Sequence, residues 1–221
     1  MLSTSDLYKR SALLQAIRSF FYTRKYLEAD TPIRLPLLIP EAEIQPLRSE
    51  DRFLQTSPEL CMKRLLANGC ERLFQICHCF RKGERGRLHQ EEFTMLEWYQ
   101  TGWSYVELMA ECEALIRSLA QFCAEQGWHW QPLPAWVTQA EAWPRLTVAQ
   151  AFQRFVGISA EQAIRENRFD LLLVEKVEPA LAHFGAVFLC EYPIALASLA
   201  RPKQENPAVA ERVELYIKCG V

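Results

Sequence analysis

Residues 80–99 read FRKGERGRLHQEEFTMLEWY and predict a β-hairpin. A first strand ends at Arg81, a loop with two glycines follows, and a second strand begins near Glu92. Alternation along the second strand places an aromatic ring, a carboxylate and a phenol on one face. The side chains of that face are Phe93, Met95, Glu97 and Tyr99. Because a purely structural hairpin keeps its buried face apolar, this pattern indicates a functional surface.

The loop of the hairpin is basic. Its basic side chains are Arg81, Lys82, Arg85, Arg87 and His89. Gly83 and Gly86 add backbone freedom between them. Cations at one end of an aromatic-bearing sheet face predict a site for a ligand that carries both phosphate and a ring.

Length and composition narrow the class of protein. The chain has 221 residues, half of them hydrophobic, which suffices for one large domain or a domain with an insertion. The 25 basic and 27 acidic residues give a net charge of -2, which argues against a general nucleic-acid binder but allows a local basic pocket. No apolar run approaches the roughly 20 residues of a membrane helix. Residues 1–9 lack the apolar core of a signal peptide, so we expect a cytoplasmic protein without membrane association.

The 8 cysteines do not follow a disulfide-scaffold pattern. Cys61, Cys70, Cys77 and Cys79 cluster in the sequence, with His78 between the last two. A zinc site and reduced thiols packed as small hydrophobic groups are both compatible with this cluster. Since the last pair lacks Cys-x-x-Cys spacing, the pattern favours packed thiols, and no metal ligand is assigned. The lone histidine is predicted to be a packed core residue.

The N-terminal region predicts a helix followed by a short strand. Residues 6–25 form an amphipathic helix with Ser5 or Asp6 as its N-cap, and residues 26–31 form the strand. Residues 34–46 are punctuated by proline and irregular. The apolar stripe of the helix fits an ordinary packing unit or a dimerisation element equally well.

A second helix is predicted after Gln55. Ser57 fits its N-cap, Pro58 its first position and Glu59 its first turn, and Gly69 marks its end. An acid in the first turn complements the helix dipole, so local sequence favours a surface role for Glu59 over a ligand-binding one.

The rest of the chain alternates helices and strands. Capping signals predict helices that begin at Ser104, Thr147 and Ser159. Pro179 predicts a kink or a new helical segment. Further strands are predicted at residues 71–81, 186–192 and 208–221. We therefore expect an α+β fold, a mostly antiparallel sheet flanked by helices. No glycine fingerprint of a dinucleotide fold or phosphate loop is present.

Several stretches of the sequence resemble motifs of a known family. Residues 80–99 resemble motif 2 of class II aminoacyl-tRNA synthetases in the form used by the lysine subgroup. The helix and strand that end at Pro32 resemble motif 1. Residues 56–59, Thr-Ser-Pro-Glu, resemble the amino-acid-binding loop, and residues 197–200 and 210–216 resemble the later strands.

This resemblance implies one class II catalytic domain over residues 1–221. Motif 1 would lie at about 6–32, motif 2 at about 71–101 and an inserted connection at about 128–185. The family continues into motif 3, which is missing from this sequence, so we expect a domain that is incomplete at its C-terminus and turns over weakly or not at all.

Within the subgroup, the likeness is to ligases that modify elongation factor P. It implies that ATP, with Mg²⁺ bridging its phosphates, activates lysine or β-lysine as an adenylate. The aminoacyl group would then pass to a lysine of elongation factor P. A homodimer through the motif 1 helix is implied, whereas tRNA is disfavoured because no room remains for an anticodon-binding barrel. The alternatives are a non-catalytic binding or dimerisation module and, less favoured, a lysine–tRNA ligase.

The resemblance also implies roles for individual residues. Arg81 would be the catalytic residue, holding the α-phosphate in the transition state. Phe93 would stack on adenine and Glu59 would pair with the substrate amino group. The implied ATP-binding residues are Arg81, Lys82, Gly83, Glu84, His89, Gln90 and Phe93. The implied substrate-binding residues are Ser57, Pro58, Glu59 and Tyr99.

Two positions depart from the family pattern. The family pattern is Phe-Arg-x-Glu, in which the glutamate contacts adenine. In this sequence the position of that glutamate is occupied by Gly83. Glu84 is next in line and could substitute if the loop shifts by one residue. Gln90 replaces the usual asparagine, a milder change.

Overall fold

A computed structural model describes residues 3–38, 44–87, 89–128 and 133–218. The chain divides into two compact units, Met1–Gly102 and Trp103–Val221. Both contain helices and β-sheets, as the α+β prediction requires.

The first unit is built around the predicted hairpin. Its helices are α1 (Thr4–Thr23) and α2 (Glu59–Ala67). Its strands are β1 (Leu27–Glu28), β2 (Arg34–Leu35), β3 (Arg48–Ser49), β4 (Arg52–Leu54), β5 (Arg72–Phe80) and β6 (Glu92–Gln100). One sheet has the order β1-β5-β6, with β1 parallel to β5 and β5 antiparallel to β6, and a second, antiparallel sheet has the order β2-β4-β3.

The pairing of β5 with β6 confirms the hairpin and its register. Nine consecutive residue pairs run from Arg72 opposite Gln100 to Phe80 opposite Glu92. A one-residue slip would exchange the two faces of β6, so this register fixes which side chains line the candidate site.

Aromatic packing covers the other face of the hairpin. The Phe21 ring of α1 stacks on Phe74 of β5 with centroids 4.7 Å apart and lies 5.6 Å from Trp98 of β6. Such pairs add about 0.5–1.5 kcal/mol each beyond their buried area. The face that carries Glu97 is thereby left for function.

The boundaries of α1 differ from the prediction. Its N-cap is Ser3, not Ser5 or Asp6; the Ser3 hydroxyl accepts the Asp6 N–H, and the Asp6 carboxylate accepts the Ser3 N–H. The helix ends at Thr23 because Lys25 adopts a φ of 63°, outside the helical region. The predicted strand after it shortens to the two residues of β1.

The start of α2 is also shifted. Pro58, not Ser57, is the N-cap, although the Ser57 hydroxyl still accepts the Glu59 N–H at 3.0 Å. The predicted end is confirmed, since Asn68 is the C-cap and Gly69 has a φ of 98°.

The second unit places short helices around a mixed sheet. Its helices are α3 (Tyr105–Glu125), α4 (Ala135–Thr138), α5 (Val148–Phe155), α6 (Ala160–Arg165), α7 (Phe169–Leu172) and α8 (Glu178–Leu181). A π-helical turn, Leu173–Val177, and two 3₁₀ turns, Ala182–Phe184 and Ile194–Leu196, complete the helical segments. Its strands are β7 (Arg145–Thr147), β8 (Ala186–Pro193), β9 (Pro202–Lys203) and β10 (Asn206–Ile217). They form the order β7-β8-β10-β9, with β7 parallel to β8 and the other pairs antiparallel.

Several predictions for this unit are confirmed. Ser104 and Thr147 form capping boxes, and Ser159 caps α6. Pro179 lies in the first turn of α8, a new segment after the π-helical turn. The last strand begins two residues earlier than predicted, and residues 219–221 of that prediction lie outside the described residues.

Candidate functional site

The candidate site lies on one face of the β5–β6 hairpin, in the first unit. Glu97 and Tyr99 contact each other there, and Met95 contacts Cys79 of β5. Phe93 lies beneath the guanidinium of Arg81. The alternation read from the sequence is thus confirmed, since all four residues of the predicted face share one side of β6.

Arg81 and Phe93 form one end of this face. The guanidinium carbon of Arg81 lies 5.2 Å from the centroid of the Phe93 ring, within cation–π range. Its Nε donates to the Thr56 carbonyl at 3.4 Å, and its Nη1 lies 3.9 Å from the Glu84 carboxylate. The Arg81 side chain remains 25% exposed, so it is held in place but open to a ligand anion.

The hairpin loop closes through a carboxylate. Glu91 accepts the Gly83 N–H at 2.7 Å through Oε1 and the Arg85 Nε–H at 2.8 Å through Oε2. The Gly83 N–H and then the Arg85 guanidinium lower the pKa of Glu91 below its ordinary value of 4.5. Gly83 has a φ of 81°, a conformation that disfavours any residue with a Cβ. This backbone explains why glycine replaces the glutamate that the family pattern leads one to expect.

The other predicted ATP-binding residues lie on the surface of the loop. Lys82, His89 and Gln90 are exposed. The Lys82 N–H donates to the Gln45 carbonyl, and the His89 carbonyl accepts the Gly86 N–H. An open groove of about 570 Å³ passes the base of the loop; it is lined by His78, Arg85, Gln90, Glu91, Glu92, Phe93 and Thr94.

A carboxylate centre forms the other end of the face. The Ser57 hydroxyl donates to Glu97 Oε1 at 2.5 Å, and the Tyr99 hydroxyl donates to Oε2 at 3.2 Å. Glu59 begins α2 next to this centre and pairs with Lys63 at 2.5 Å, with its own side chain only 19% exposed. Glu59 is therefore a partly buried residue and not the surface acid that local sequence favoured. Pro58 lies between Ser57 and Glu59 in the sequence, is buried, and forms the N-cap of α2.

The electrostatics of this centre favour a cation. Burial raises the pKa of Glu97, and the negative charge of Glu59 raises it further, whereas the hydrogen bonds from Ser57 and Tyr99 lower it. Burial also raises the pKa of Tyr99, which stays protonated and donates. Two carboxylates in a partly desolvated pocket bind an ammonium group better than water-exposed acids do.

Sequence reasoning placed Glu97 on the functional face but gave it no role. Its hydrogen-bond donor, Ser57, lies forty residues away, so the pair becomes visible only after folding. The signal in the sequence was the carboxylate itself, in the middle of an otherwise apolar alternation. Glu91 was missed as well, and its loop-closing contacts leave no comparable signal.

The histidine and cysteine predictions have different outcomes. His78 is not a core residue: it is exposed, and its Nδ1 lies 2.8 Å from the Glu92 carboxylate on the opposite face of the hairpin. Cys77 and Cys79 have sulfurs 3.9 Å apart on the face that bears Met95. Within the described ranges, no group of three or more His, Cys, Asp or Glu residues could hold a metal ion.

A second polar cluster lies in the Trp103–Val221 unit, on β8 and β10. Arg212 packs its guanidinium 4.4 Å from the Tyr192 ring centroid and donates to Glu214 at 2.5 Å. Tyr216 donates to Glu214 at 3.2 Å, and burial raises its pKa. Arg212, Glu214 and Tyr216 belong to residues 210–216, which resemble the later strands of the family.

No helix among the described residues is long and apolar enough to cross a membrane.

Comparisons with known proteins agree with the motifs. Residues 3–221 match the family described as tRNA synthetases class II (D, K and N). Three curated relatives carry the name elongation factor P (R)-β-lysine ligase. The protein from Pseudoalteromonas translucida is 33% identical, that from Salmonella arizonae 34% and that from Salmonella gallinarum 36%. Each alignment covers 98% of this chain and 71% of the relative.

Proposed function

Because this chain belongs to the class II tRNA synthetase family of the D, K and N type, we propose that it is a ligase that joins (R)-β-lysine to elongation factor P. ATP and the β-lysine carboxylate would form an aminoacyl-adenylate and release pyrophosphate. The amine of a lysine side chain on elongation factor P would then attack the carbonyl carbon, and AMP would leave. The names of the relatives supply the substrate and the acceptor.

One observation carries the proposal: a single face of β6 has a guanidinium over an aromatic ring at one end and a hydrogen-bonded carboxylate at the other. Arg81 over Phe93 forms the first, and Glu97 with Ser57 and Tyr99 forms the second. Glu97 lies four residues beyond Phe93 along an extended strand, a distance of about 13 Å. That spacing suits a ligand with a nucleotide at one end and an amine at the other.

Arg81 is proposed to act on the reacting phosphate. Its contacts with Thr56 and Phe93 orient the guanidinium before ATP arrives. As the β-lysine carboxylate attacks the α-phosphorus, negative charge grows on the phosphoryl oxygens, and a pre-oriented cation stabilises it. Adenylate formation needs no nucleophilic side chain, since positioning and charge stabilisation suffice.

The loop is proposed to hold the rest of ATP. Phe93 stacks on adenine. The side chain of Gln90 and the backbone of Gly83 bind the nucleotide from the loop. Lys82 and His89 bind the outer phosphates. Glu84, whose carboxylate lies 3.9 Å from Arg81, is proposed to limit the mobility of that guanidinium.

Mg²⁺ would enter with ATP and reduce the negative charge of its phosphates. A metal ion held mainly by phosphate oxygens needs few protein ligands.

The amine end is proposed to select the diamine. (R)-β-lysine has two ammonium groups, and Glu97 and Glu59 offer two carboxylates. Ser57 and Tyr99 use their hydroxyl hydrogens to hold the Glu97 carboxylate in position. Pro58 fixes the first turn of α2, which places Glu59 at the site.

We further propose the domain and dimer assignment of the family for this chain. Residues 1–221 would form one class II catalytic domain with a mostly antiparallel fold, with motif 1 at about 6–32, motif 2 at about 71–101 and an inserted connection at about 128–185.

A homodimer would form through α1. The exposed hydrophobic side chains of α1 support this assignment, since Tyr8 is 74%, Leu7 54% and Tyr22 52% exposed.

The test is transfer to elongation factor P, measured by intact-protein mass spectrometry. The chain is used in excess over elongation factor P, so that the weak turnover expected from the sequence is also detected. Protein, MgATP and (R)-β-lysine should then add one β-lysyl group to elongation factor P, whereas α-lysine should add less and tRNA should stay uncharged. Arg81→Ala should abolish transfer. Arg72→Ala, at the opposite end of β5, where it contacts the Arg24 carbonyl, should retain it. Charging of tRNA without modification of elongation factor P, or ATP-independent modification, would overturn the proposal.

A further inference from the structure

Three sulfur atoms meet on the site face of the hairpin. The thiols of Cys77 and Cys79 share a hydrogen bond with their sulfurs 3.9 Å apart. Cys79 donates to the Met95 sulfur, also at 3.9 Å. Cys77 and Met95 are direct partners across the β5–β6 ladder, so the third side of the triangle joins neighbouring side chains.

The two sulfur–sulfur distances at Cys79 match a coordination geometry. Two sulfurs 3.9 Å apart can both lie roughly 2.3 Å from one ion, the length of a metal–thiolate bond, at a sulfur–metal–sulfur angle of about 116°, close to the angle of trigonal coordination. An ion bound by Cys79 would therefore have the sulfurs of both its neighbours, Cys77 and Met95, within reach.

We propose that Cys77, Cys79 and Met95 form a three-sulfur binding site for a soft monovalent cation, Cu(I). Thiolate and thioether ligands select Cu(I) over harder ions. Zn²⁺ prefers four tetrahedral ligands, and the nearby His78 points to the opposite face of β5, where it pairs with Glu92. The site therefore differs from the zinc site that the clustering of the four cysteines allowed and that their spacing disfavoured.

The surroundings of the sulfurs suit this ion. Cys79 is fully buried, which limits exchange of its ligand position with water, whereas Cys77 and Met95 are partly buried and leave a path of entry. Gln55 donates an N–H to the Cys77 sulfur at 3.4 Å, a contact that would stabilise a thiolate there. On ligation the two thiol protons pass to solvent and two Cu–S(thiolate) bonds form, with no change of oxidation state.

The position of the site connects it to the hairpin. Cys79 lies directly across the ladder from Phe93, and the metal would link β5 to β6 beside that ring. Binding should therefore slow amide exchange in both strands of the hairpin, a readout that does not depend on enzymatic activity.

The test is competition for Cu(I) with a chromophoric chelator, under anaerobic and reducing conditions, on the full chain. The wild-type protein should withdraw one Cu(I) per chain. Met95→Leu conserves volume and fold, and it should weaken binding by roughly tenfold or more because one of three ligands is lost. Cys77→Ser should abolish withdrawal. Cys61→Ser and Cys70→Ser, elsewhere in the same unit, are the matched controls and should bind like the wild type.

X-ray absorption at the copper edge provides the second measurement. Three sulfur scatterers are expected in the wild type and two in Met95→Leu. Unchanged affinity of a folded Met95→Leu protein, or equal losses in the Cys61→Ser control, would overturn the proposal. Because Met95→Leu preserves the core, the outcome does not depend on whether Cys79 variants fold.

Discussion

Glu97 shows most clearly how burial prepares this site. Its carboxylate accepts hydrogen bonds from Ser57 and Tyr99 and is partly removed from water, with Glu59 nearby. The hydrogen bonds offset only part of the cost of ionising it there, and an ammonium ligand would offset the remainder. The residue therefore favours ligand binding at the expense of the stability of the free protein.

A pH prediction follows from the raised pKa of Glu97. Above 4.5, the ordinary value for glutamate, the folded state retains a proton that the unfolded state loses. The stability that the protonated Glu97 side chain contributes is therefore present below pH 4.5 and is lost as pH rises through the pKa of Glu97 in the folded state. Glu97→Gln stays neutral, so its free energy of unfolding should increase relative to that of the wild type as pH rises above 4.5, as measured by urea denaturation. A difference that is constant with pH would contradict this assignment.

At the scale of elements, the Glu91 side chain helps to close the hairpin loop. Glu91 connects the Gly83 N–H to the Arg85 guanidinium and so pre-forms the loop. Pre-formed loops bind ligands more tightly because less ordering is needed on binding.

Glu91→Ala should therefore speed hydrogen exchange at the Gly83 amide and raise the KM for ATP, while the KM for β-lysine stays unchanged. Both are measured on the same preparation, by amide-exchange NMR and by pyrophosphate exchange. Glu92→Ala, the neighbouring acid on the opposite face, is the control. Protection of Gly83 that survives in Glu91→Ala would show that another contact closes the loop.

The cap of α3 permits a prediction about stability. The Ser104 hydroxyl accepts the Val106 N–H, and Glu107 accepts the Ser104 N–H. Ser104→Ala should lower the free energy of unfolding by about 1 kcal/mol, because backbone donors at the helix start lose their acceptor. Ser118→Ala, at an exposed position inside α3, should change it by no more than a few tenths of a kcal/mol. Equal effects of the two changes would argue against the cap.

Local signals explain which elements could be predicted from the sequence. The boxes at Ser104 and Thr147 and the alternation of β6 involve residues within a few positions of each other, and they were predicted correctly. The N-cap of α1 was placed two or three residues late, because several polar residues near Ser3 satisfy the same local rule. His78 was misassigned because a single-strand pattern does not reveal that Glu92, diagonally across the ladder on the partner strand, contacts it.

At the scale of the whole molecule, long-range contacts set the limit of prediction. The family resemblance supplied Arg81, Phe93 and Glu59, but the Ser57–Glu97 bond and the three-sulfur triangle join distant positions of the chain. The two-unit division also depends on contacts that no local pattern encodes.

The proposed dimer leads to a prediction about association state. Tyr8→Glu places a charge on the exposed apolar side of α1 and should shift the protein from dimer to monomer in sedimentation velocity, because a buried unpaired charge is costly. Val174→Glu changes an exposed apolar residue of the other unit and should leave the dimer intact. A monomeric wild-type protein at micromolar concentration would remove the basis for this assignment.

The most direct test of the account compares Glu97→Gln with Glu92→Gln, two acids on opposite faces of one strand, in ATP–pyrophosphate exchange titrated with (R)-β-lysine. If the Glu97 face binds the amine, Glu97→Gln should lower kcat/KM for β-lysine about tenfold to a hundredfold, since a lost charged hydrogen bond costs roughly 1.5–3 kcal/mol. The KM for ATP should not change, and Glu92→Gln should behave like the wild type. Equal effects of the two substitutions, or full activity of Glu97→Gln, would contradict the assignment of the site to this face.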